Sequence, residues 1–171
     1  MAGYRWLTSE GGIDPGNIAF AGESAGANLV VTTLLALRDA GEPLPRRAVP
    51  FCGPFDLEAG GAFTSGVDVM MHPHFISKQM LAYRGDTDPR NPLVSPIYAD
   101  LRGLPPLLIQ VGSKEGFLDG CRLLAKKAQE ADVTVTLEVW PEMWHYWHLF
   151  VPFLPEARQA IDRIAAFVGS P

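Results

Sequence analysis

A serine framed by small residues stands where a short apolar run gives way to a helix-like stretch. The sequence there reads IAFAGESAGANLV, with Ser24 at the centre of Gly-Glu-Ser-Ala-Gly. In a sharp strand-to-helix turn of this type the serine hydroxyl is exposed and can act as a nucleophile. Gly22 and Gly26 are expected to let strand and helix pass closely without side chains clashing. The backbone N–H of Ala25, at the start of the predicted helix, is expected to point where an acyl oxyanion would form.

A carboxylate and a histidine each follow a later apolar run, and they supply what a serine nucleophile needs. Glu115 comes just after LLIQVGSK, and His145 lies in VWPEMWHYWHLF. The order serine, carboxylate, histidine, with each residue shortly after a strand, brings all three to one edge of a parallel sheet. This arrangement predicts His145 as the base for Ser24 and Glu115 as the acid that orients His145. Asp119, four residues beyond Glu115, is the alternative acid.

The elements that must position these residues are short strands alternating with amphipathic helices. Predicted strands cover residues 17–21, 47–51, 107–111 and 133–139, and predicted helices cover residues 24–40, 117–131 and 155–168. The last helix is predicted to bury the face formed by Ala157, Ile161, Ile164, Ala165 and Val168. The alternation predicts an α/β fold, with a mostly parallel sheet covered by helices on both faces.

One domain of 171 residues is expected, interrupted by a long irregular segment. Residues 54–104 are rich in Gly, Pro, Asp and Met and show no sustained periodicity. We expect loops and short helices there, laid over the ends of the sheet.

Composition and charge exclude several classes of protein. A hydrophobic fraction of 47% indicates a globular domain, and a formal net charge of −5 argues against nucleic acid or an anionic membrane surface as a partner. No apolar run approaches a membrane-spanning length, and the N-terminus lacks the layout of a signal peptide. Cys52 and Cys121 stand far apart and are interpreted as ordinary thiols rather than a disulfide. These features predict a soluble, cytoplasmic protein.

Other reactive residues receive structural interpretations. His72 and His74 invite a metal site, but no suitable third or fourth ligand accompanies them, so an exposed loop without metal is favoured. His148 is expected to pack among Trp144, Trp147 and Phe150, and Glu23 to point away from the serine hydroxyl. Asp56 and Asp88 are expected to hold turns. Core filling is favoured over a role in a substrate pocket for Met70, Met71, Met80 and Tyr83.

Long stretches of the sequence resemble the C-terminal part of bacterial hormone-sensitive-lipase-like esterases of the α/β-hydrolase fold. These stretches are YRWL, GGIDPGNIAFAGESAGANL, LALRDAGEPLP, DPRNPLVSPIYADLRGLPPLLIQVGSKEGFLDGCRLLAKKA and VTLEVWPEMWHYWHLF. The resemblance implies hydrolysis of carboxylic esters, typically with short or medium acyl chains, through an acyl-serine intermediate and without a cofactor. It assigns Ser24 as nucleophile, His145 as general base and then acid, and Glu115 as the orienting acid.

The sequence also departs from the pattern of this family. Glu23 stands where Asp or Thr is more usual, Ala27 replaces a glycine, and Glu115 replaces an aspartate found in many members. The family's His-Gly-Gly oxyanion loop, its N-terminal cap and its first strands do not occur in the 23 residues before Ser24. We therefore expect a truncated gene product that is poorly soluble or weakly active by itself.

The alternative to an esterase is a catalytically impaired remnant that serves as an assembly module. The predicted strand at residues 133–139 would form the outer edge of the sheet, and in the family such an edge commonly pairs with its twin. A homodimer through this edge is the partner that the alternative implies.

Overall fold

The computed structural model describes residues 1–58 and 68–170, which form a four-stranded sheet and its covering helices. The strands are β1 (Ala19–Glu23), β2 (Arg47–Phe51), β3 (Leu107–Gly112) and β4 (Val135–Trp140). The α-helices are α1 (Ala2–Ser9), α2 (Ala25–Asp39), α3 (Pro73–Arg84), α4 (Leu118–Glu130) and α5 (Pro155–Gly169). Short 3₁₀ turns cover Pro15–Asn17, Pro96–Tyr98 and Trp147–Phe150.

All strands of the sheet run parallel, in the order β1-β2-β3-β4. The predicted α/β class with a mostly parallel sheet is therefore confirmed, and β4 is an outer strand of the described sheet, as predicted. The first strand begins two residues later than predicted because Pro15–Asn17 form a 3₁₀ turn, whose N-cap Asp14 accepts a hydrogen bond from the Gly16 N–H at 2.6 Å. β1 is the other outer strand of the described sheet, and most of its residues are half-buried.

Helices cover both faces of the sheet. The larger core lies between α2, α4 and one face of the strands, with Leu34, Ile109 and Leu124 fully buried in it. The smaller core lies on the other face, where α5 and the segment after β4 pack Ala157 and Trp147 against the end of β2. The strand ends that carry the candidate residues therefore lie between two packed layers.

The predicted buried face of α5 is partly wrong. Ala157 is fully buried as expected, but Ala160 is the second buried residue, and Ile161 and Ala165 are exposed. The helix turns the small side chains Ala157 and Ala160 into the smaller core, where they are completely buried. Ile164 remains half-buried on the same side.

The irregular segment at residues 54–104 contains loops and short helical elements, as predicted, while its residues 59–67 lie outside the described part of the chain. Asn28 ties two parts of the segment to α2, because its Nδ2 donates to the carbonyl oxygens of Pro54 at 2.7 Å and Val94 at 2.9 Å. Asp56 and Asp88 accept hydrogen bonds from the backbone N–H two residues on, at 3.0 and 2.9 Å, which confirms their predicted role in turns.

Cys52 and Cys121 are both buried as free thiols. Among the described residues, no helix combines the length and the hydrophobicity needed to cross a bilayer.

Candidate active site

Ser24 occupies a strained turn between β1 and α2. Its φ of 56° and ψ of −121° are unusual for a residue with a side chain, and its N–H donates to the Phe51 carbonyl of β2 at 3.0 Å. A Cβ at Gly22 would collide with the carbonyl oxygen of Gly26, so only glycine fits there. The expectation that Gly26 is needed in the same way is wrong, because, apart from its chain neighbours and the backbone of its own helix, a Cβ at Gly26 would meet no described atom within 4 Å.

The structure brings Ser24, His145 and Glu115 into one chain of hydrogen bonds. Ser24 Oγ lies 3.0 Å from His145 Nε2, and His145 Nδ1 lies 2.9 Å from Glu115 Oε2. The side chains of His145 and Glu115 are completely buried. Asp119 does not join them: it lies on α4 with its side chain 62% exposed, 3.5 Å from Arg122.

The loop after β3 holds the carboxylate of Glu115 in place. Glu115 N–H donates to the Gly112 carbonyl at 3.2 Å, and Glu115 Oε1 accepts the Gly112 N–H at 2.7 Å, so backbone and side chain close the same turn. Cys52 Sγ lies 2.9 Å from the same Oε1. A Cβ at Gly112 would collide with the Met143 carbonyl, which shows how closely the His145 loop passes this turn.

His145 lies on the loop that follows β4. The loop is tied to the Glu115 turn because the Met143 carbonyl accepts the Lys114 N–H at 2.9 Å. The rings of Phe117 and Tyr146 pack edge-on against the imidazole, with ring centroids 5.3 and 4.1 Å away. The carboxyl ends of β1, β3 and β4 thus each position one member of the hydrogen-bonded chain.

Ser24 opens onto an apolar cavity of about 160 Å³. The cavity is lined by Ser24, Ala25, Asn28, Leu29, Pro54, Leu57, Met71, Ile76, Gln79, Met80, Tyr83 and Phe117. Core filling, favoured from the sequence, is therefore wrong for Met71, Met80 and Tyr83, which α3 and its preceding loop bring over the serine, while Met70 is 48% exposed. Ala25 is the first residue of α2, so its N–H has no acceptor within the helix.

A second buried polar group lies behind Glu115. His148 Nε2 is 3.0 Å from Gln110 Oε1, and its Nδ1 faces Cys52 Sγ at 3.7 Å and Glu23 Oε1 at 3.8 Å. The pKa of His148 is lowered to about 3, mainly by burial and to a lesser extent by the nearby His145. This imidazole is therefore neutral. Burial raises the pKa of Glu23, whose Oε1 is buried without a hydrogen-bond partner among the described residues.

These contacts refine what the sequence indicated. His148 packs on Trp147 as predicted, with ring centroids 3.9 Å apart, but its other ring neighbour is Phe51, and Trp144 instead pairs with Phe150. Sequence reasoning missed that Cys52 and Gln110 belong to the site.

Two groups of side chains in the described part of the chain have ligand atoms close enough together for a metal ion: Glu23, Cys52 and His148, and Cys52, Glu115 and His145. Both groups depend on Cys52. The pKa of its thiol is raised well above the ordinary value, mainly by burial and also by Glu115, so the thiol keeps its proton. His72 and His74 belong to neither group and lie exposed at the start of α3.

The parallel sheet and the strand-to-helix turn at Ser24 define an alpha/beta hydrolase fold, and comparisons with known proteins agree. A family model described as alpha/beta hydrolase fold matches residues 1–149. The chain is 46% identical over 171 residues to a protein named acetyl-hydrolase from Streptomyces hygroscopicus, covering 98% of this chain and 57% of that protein. It is 36% identical over 163 residues to a protein named esterase from Acinetobacter venetianus, covering 93% of this chain and 54% of that protein.

Solved structures give the same result. The crystal structure of an esterase from the bacterial hormone-sensitive lipase family matches with a TM-score of 0.93 at 47% identity, covering 98% of this chain and 57% of that one. A hormone-sensitive lipase from a metagenome library matches with a TM-score of 0.89 at 33% identity, covering 98% of this chain and 58% of that one. The chain therefore belongs to the alpha/beta hydrolase family of bacterial hormone-sensitive-lipase-like esterases. It spans 57% of the length of the first of these relatives.

Proposed function

We propose that the protein hydrolyses small carboxylic esters through an acyl-serine intermediate. The observation that carries this proposal is the continuous chain of hydrogen bonds from Glu115 through His145 to Ser24, with links of 2.9 and 3.0 Å. In this proposal Ser24 is the nucleophile, His145 is the general base, and Glu115 fixes the imidazole with its Nδ1 proton inward and its Nε2 lone pair toward the serine.

The reaction follows from this orientation. His145 Nε2 takes the proton of Ser24 as Oγ attacks the ester carbonyl, and the oxyanion that forms accepts a hydrogen bond from the Ala25 N–H. His145 then gives the proton to the departing alcohol, which leaves an acyl group on Ser24. Water, activated by the same imidazole, attacks the acyl-serine and releases the carboxylic acid. The proton transfers between Ser24 and His145 use groups already in hydrogen-bond contact, so they require little reorganisation.

The cavity beside Ser24 supports an uncharged substrate of modest size. Its volume of about 160 Å³ and its apolar lining suit a short acyl chain better than a long or ionised one. The relative from Streptomyces hygroscopicus is named acetyl-hydrolase, which supports the same choice. We therefore infer short-chain esters such as acetates and butyrates as the substrate class.

The proposal is tested by stopped-flow hydrolysis of p-nitrophenyl acetate and p-nitrophenyl butyrate. An acyl-serine intermediate predicts a burst of p-nitrophenol of up to one equivalent before the steady state. Ser24→Ala is expected to abolish both phases, since it removes the nucleophile but not the cavity. A folded chain whose turnover is unchanged by Ser24→Ala would refute the proposal.

A further inference from the structure

The two oxygens of the Glu115 carboxylate have different partners. Oε2 faces His145, whereas Oε1 accepts the Gly112 N–H at 2.7 Å and contacts Cys52 Sγ at 2.9 Å. We propose that Cys52 is a positioning residue of the hydrolase, whose thiol donates a hydrogen bond to Glu115 Oε1 and so fixes the carboxylate that orients His145. This inference rests on the proposed function, in which Glu115 is the orienting acid.

The neighbours of His148 settle where the thiol proton points. Gln110 Nε2 donates to Glu138 Oε2 at 2.8 Å and to the Ala160 carbonyl at 3.2 Å, so the amide presents its oxygen to His148. His148 Nε2 therefore carries the proton that is donated to Gln110 Oε1 at 3.0 Å. Consequently His148 Nδ1 has no proton, and its lone pair faces Cys52. This nitrogen cannot donate a hydrogen bond to the sulfur.

Two acceptors then compete for one thiol proton. Glu115 Oε1 lies 2.9 Å from Cys52 Sγ and is charged, whereas His148 Nδ1 lies 3.7 Å away and is neutral. The nearer, charged acceptor forms the stronger hydrogen bond, so the thiol donates to Glu115. The other buried cysteine provides a comparison within the same chain: Cys121 Sγ lies 3.7 Å from the Gly53 carbonyl and, among the described residues, makes no hydrogen bond to Glu115, His145 or Ser24.

The backbone holds Cys52 rigidly at this place. Cys52 directly follows β2, and its N–H donates to the Gln110 carbonyl of β3 at 2.9 Å. Its φ of 54° is a conformation that residues with a side chain rarely adopt, and its side chain is fully buried. The fixed backbone and the complete burial of the side chain together hold the sulfur in contact with Glu115.

Kinetics of labelling by a fluorophosphonate separate positioning from packing. Cys52→Ala removes the donor, and we expect the labelling rate of Ser24 to fall about tenfold, as for loss of one hydrogen bond to a buried charge. Cys52→Ser keeps a donor and is expected to recover the rate to within about threefold of the native chain. Cys121→Ala removes a buried thiol of the same size and is expected to leave the rate unchanged, even where it lowers the melting temperature as much.

Proton NMR tests the same contact without reference to catalysis. A His145 Nδ1 proton shared with a buried carboxylate resonates at unusually low field. Cys52→Ala is expected to move this resonance upfield or broaden it, Cys52→Ser to restore it, and Cys121→Ala to leave it in place. An unchanged resonance and an unchanged labelling rate in Cys52→Ala, or losses that Cys121→Ala matches, would overturn the inference. If the native chain is not labelled at Ser24, the proposed function fails, and the resonance alone decides the role of Cys52.

Discussion

At the scale of single residues, the site depends on which carboxylate faces His145. Glu115 lies 2.9 Å from the imidazole in a completely buried position, while Asp119 lies on the exposed side of α4. A buried carboxylate holds the imidazole in one tautomer and stabilises the imidazolium that forms during reaction. An exposed carboxylate four residues further along a helix contributes neither effect.

The first prediction follows from this difference. Glu115→Gln keeps the shape of the side chain but reverses the hydrogen bond to His145, so ester turnover is expected to fall by about 10³- to 10⁴-fold. Asp119→Asn is the matched control and is expected to stay within about twofold of the native chain. Turnover of p-nitrophenyl acetate measures both variants. A larger loss in Asp119→Asn than in Glu115→Gln would show that the acid is assigned to the wrong residue.

A second prediction at this scale concerns the pH dependence of stability. The pKa of His148 is lowered to about 3 in the folded protein, whereas the unfolded chain binds a proton there once the pH drops below the ordinary value of 6.5. The unfolded state then binds more protons than the folded state, so the free energy of unfolding decreases as the pH falls from 6.5 toward about 3. The slope that His148 contributes is about 1.4 kcal/mol per pH unit.

Urea denaturation at several pH values between 7 and 4 measures this contribution. His148→Gln is expected to remove it, so that the variant loses less stability on acidification than the native chain. His74→Gln, at an exposed position in α3, is the control and is expected to follow the native curve. Parallel curves for His148→Gln and the native chain would contradict the neutral, buried state of His148.

The sequence indicated the three residues of the hydrogen-bonded chain but not the residues that lie behind them. Ser24, Glu115 and His145 follow strands in a recognisable order, and that order is visible along the chain. Cys52 and Gln110 meet the site only because β2 and β3 lie side by side in the sheet. Lateral pairing of this kind leaves no spacing in the sequence, so no motif could have indicated it.

At the scale of elements, the strand-to-helix turn requires a close approach on one side only. A Cβ at Gly22 would strike the Gly26 carbonyl and lie 3.0 Å from Val30 Cγ2. A Cβ at Gly26 would meet no described atom within 4 Å apart from its chain neighbours and the backbone of its own helix. The pattern Gly-x-Ser-x-Gly treats the two glycines alike, and only the three-dimensional path of β1 into α2 distinguishes them. The same limitation misplaced the buried face of α5, since periodicity does not say which side of a helix meets a sheet.

The third prediction compares these two glycines. Gly22→Ala places a Cβ against the backbone carbonyl of Gly26. We expect the free energy of unfolding to fall by about 2 kcal/mol or more. Gly26→Ala lies in the first turn of α2, where alanine favours the helix, so its effect is expected to stay within about 1 kcal/mol. Urea denaturation of both variants measures the difference. Equal losses would contradict the geometry of the turn.

At the scale of the whole molecule, β4 is an outer strand of the described sheet. The Thr134 carbonyl accepts a hydrogen bond from the Leu107 N–H at 2.9 Å, and the Trp140 carbonyl accepts one from the Ser113 N–H, directly after β3, at 2.8 Å. The backbone N–H and C=O groups of even-numbered residues in β4 therefore point toward β3. The N–H groups of Val135, Leu137 and Val139 therefore point away from it. An outer strand with such unpaired donors is suited to pair with another strand, which is the basis for proposing a homodimer through this edge.

The fourth prediction uses this alternation as an internal control. In a dimer joined through β4, the amides of Val135, Leu137 and Val139 are expected to exchange with deuterium as slowly as those of Thr136 and Glu138. In a monomer the first three exchange much faster than the other two. Exchange followed by NMR, together with the sedimentation mass relative to 18.6 kDa for one chain, decides between the two states.

The central claim is that Ser24 is an activated nucleophile, and a fluorophosphonate probe followed by peptide mass spectrometry tests it most directly. The account predicts one adduct per folded chain, located on Ser24, absent from Ser24→Ala and formed at least about 100-fold more slowly in His145→Gln. A folded chain that takes up no probe, or that is labelled as fast in His145→Gln as in the native protein, would contradict it.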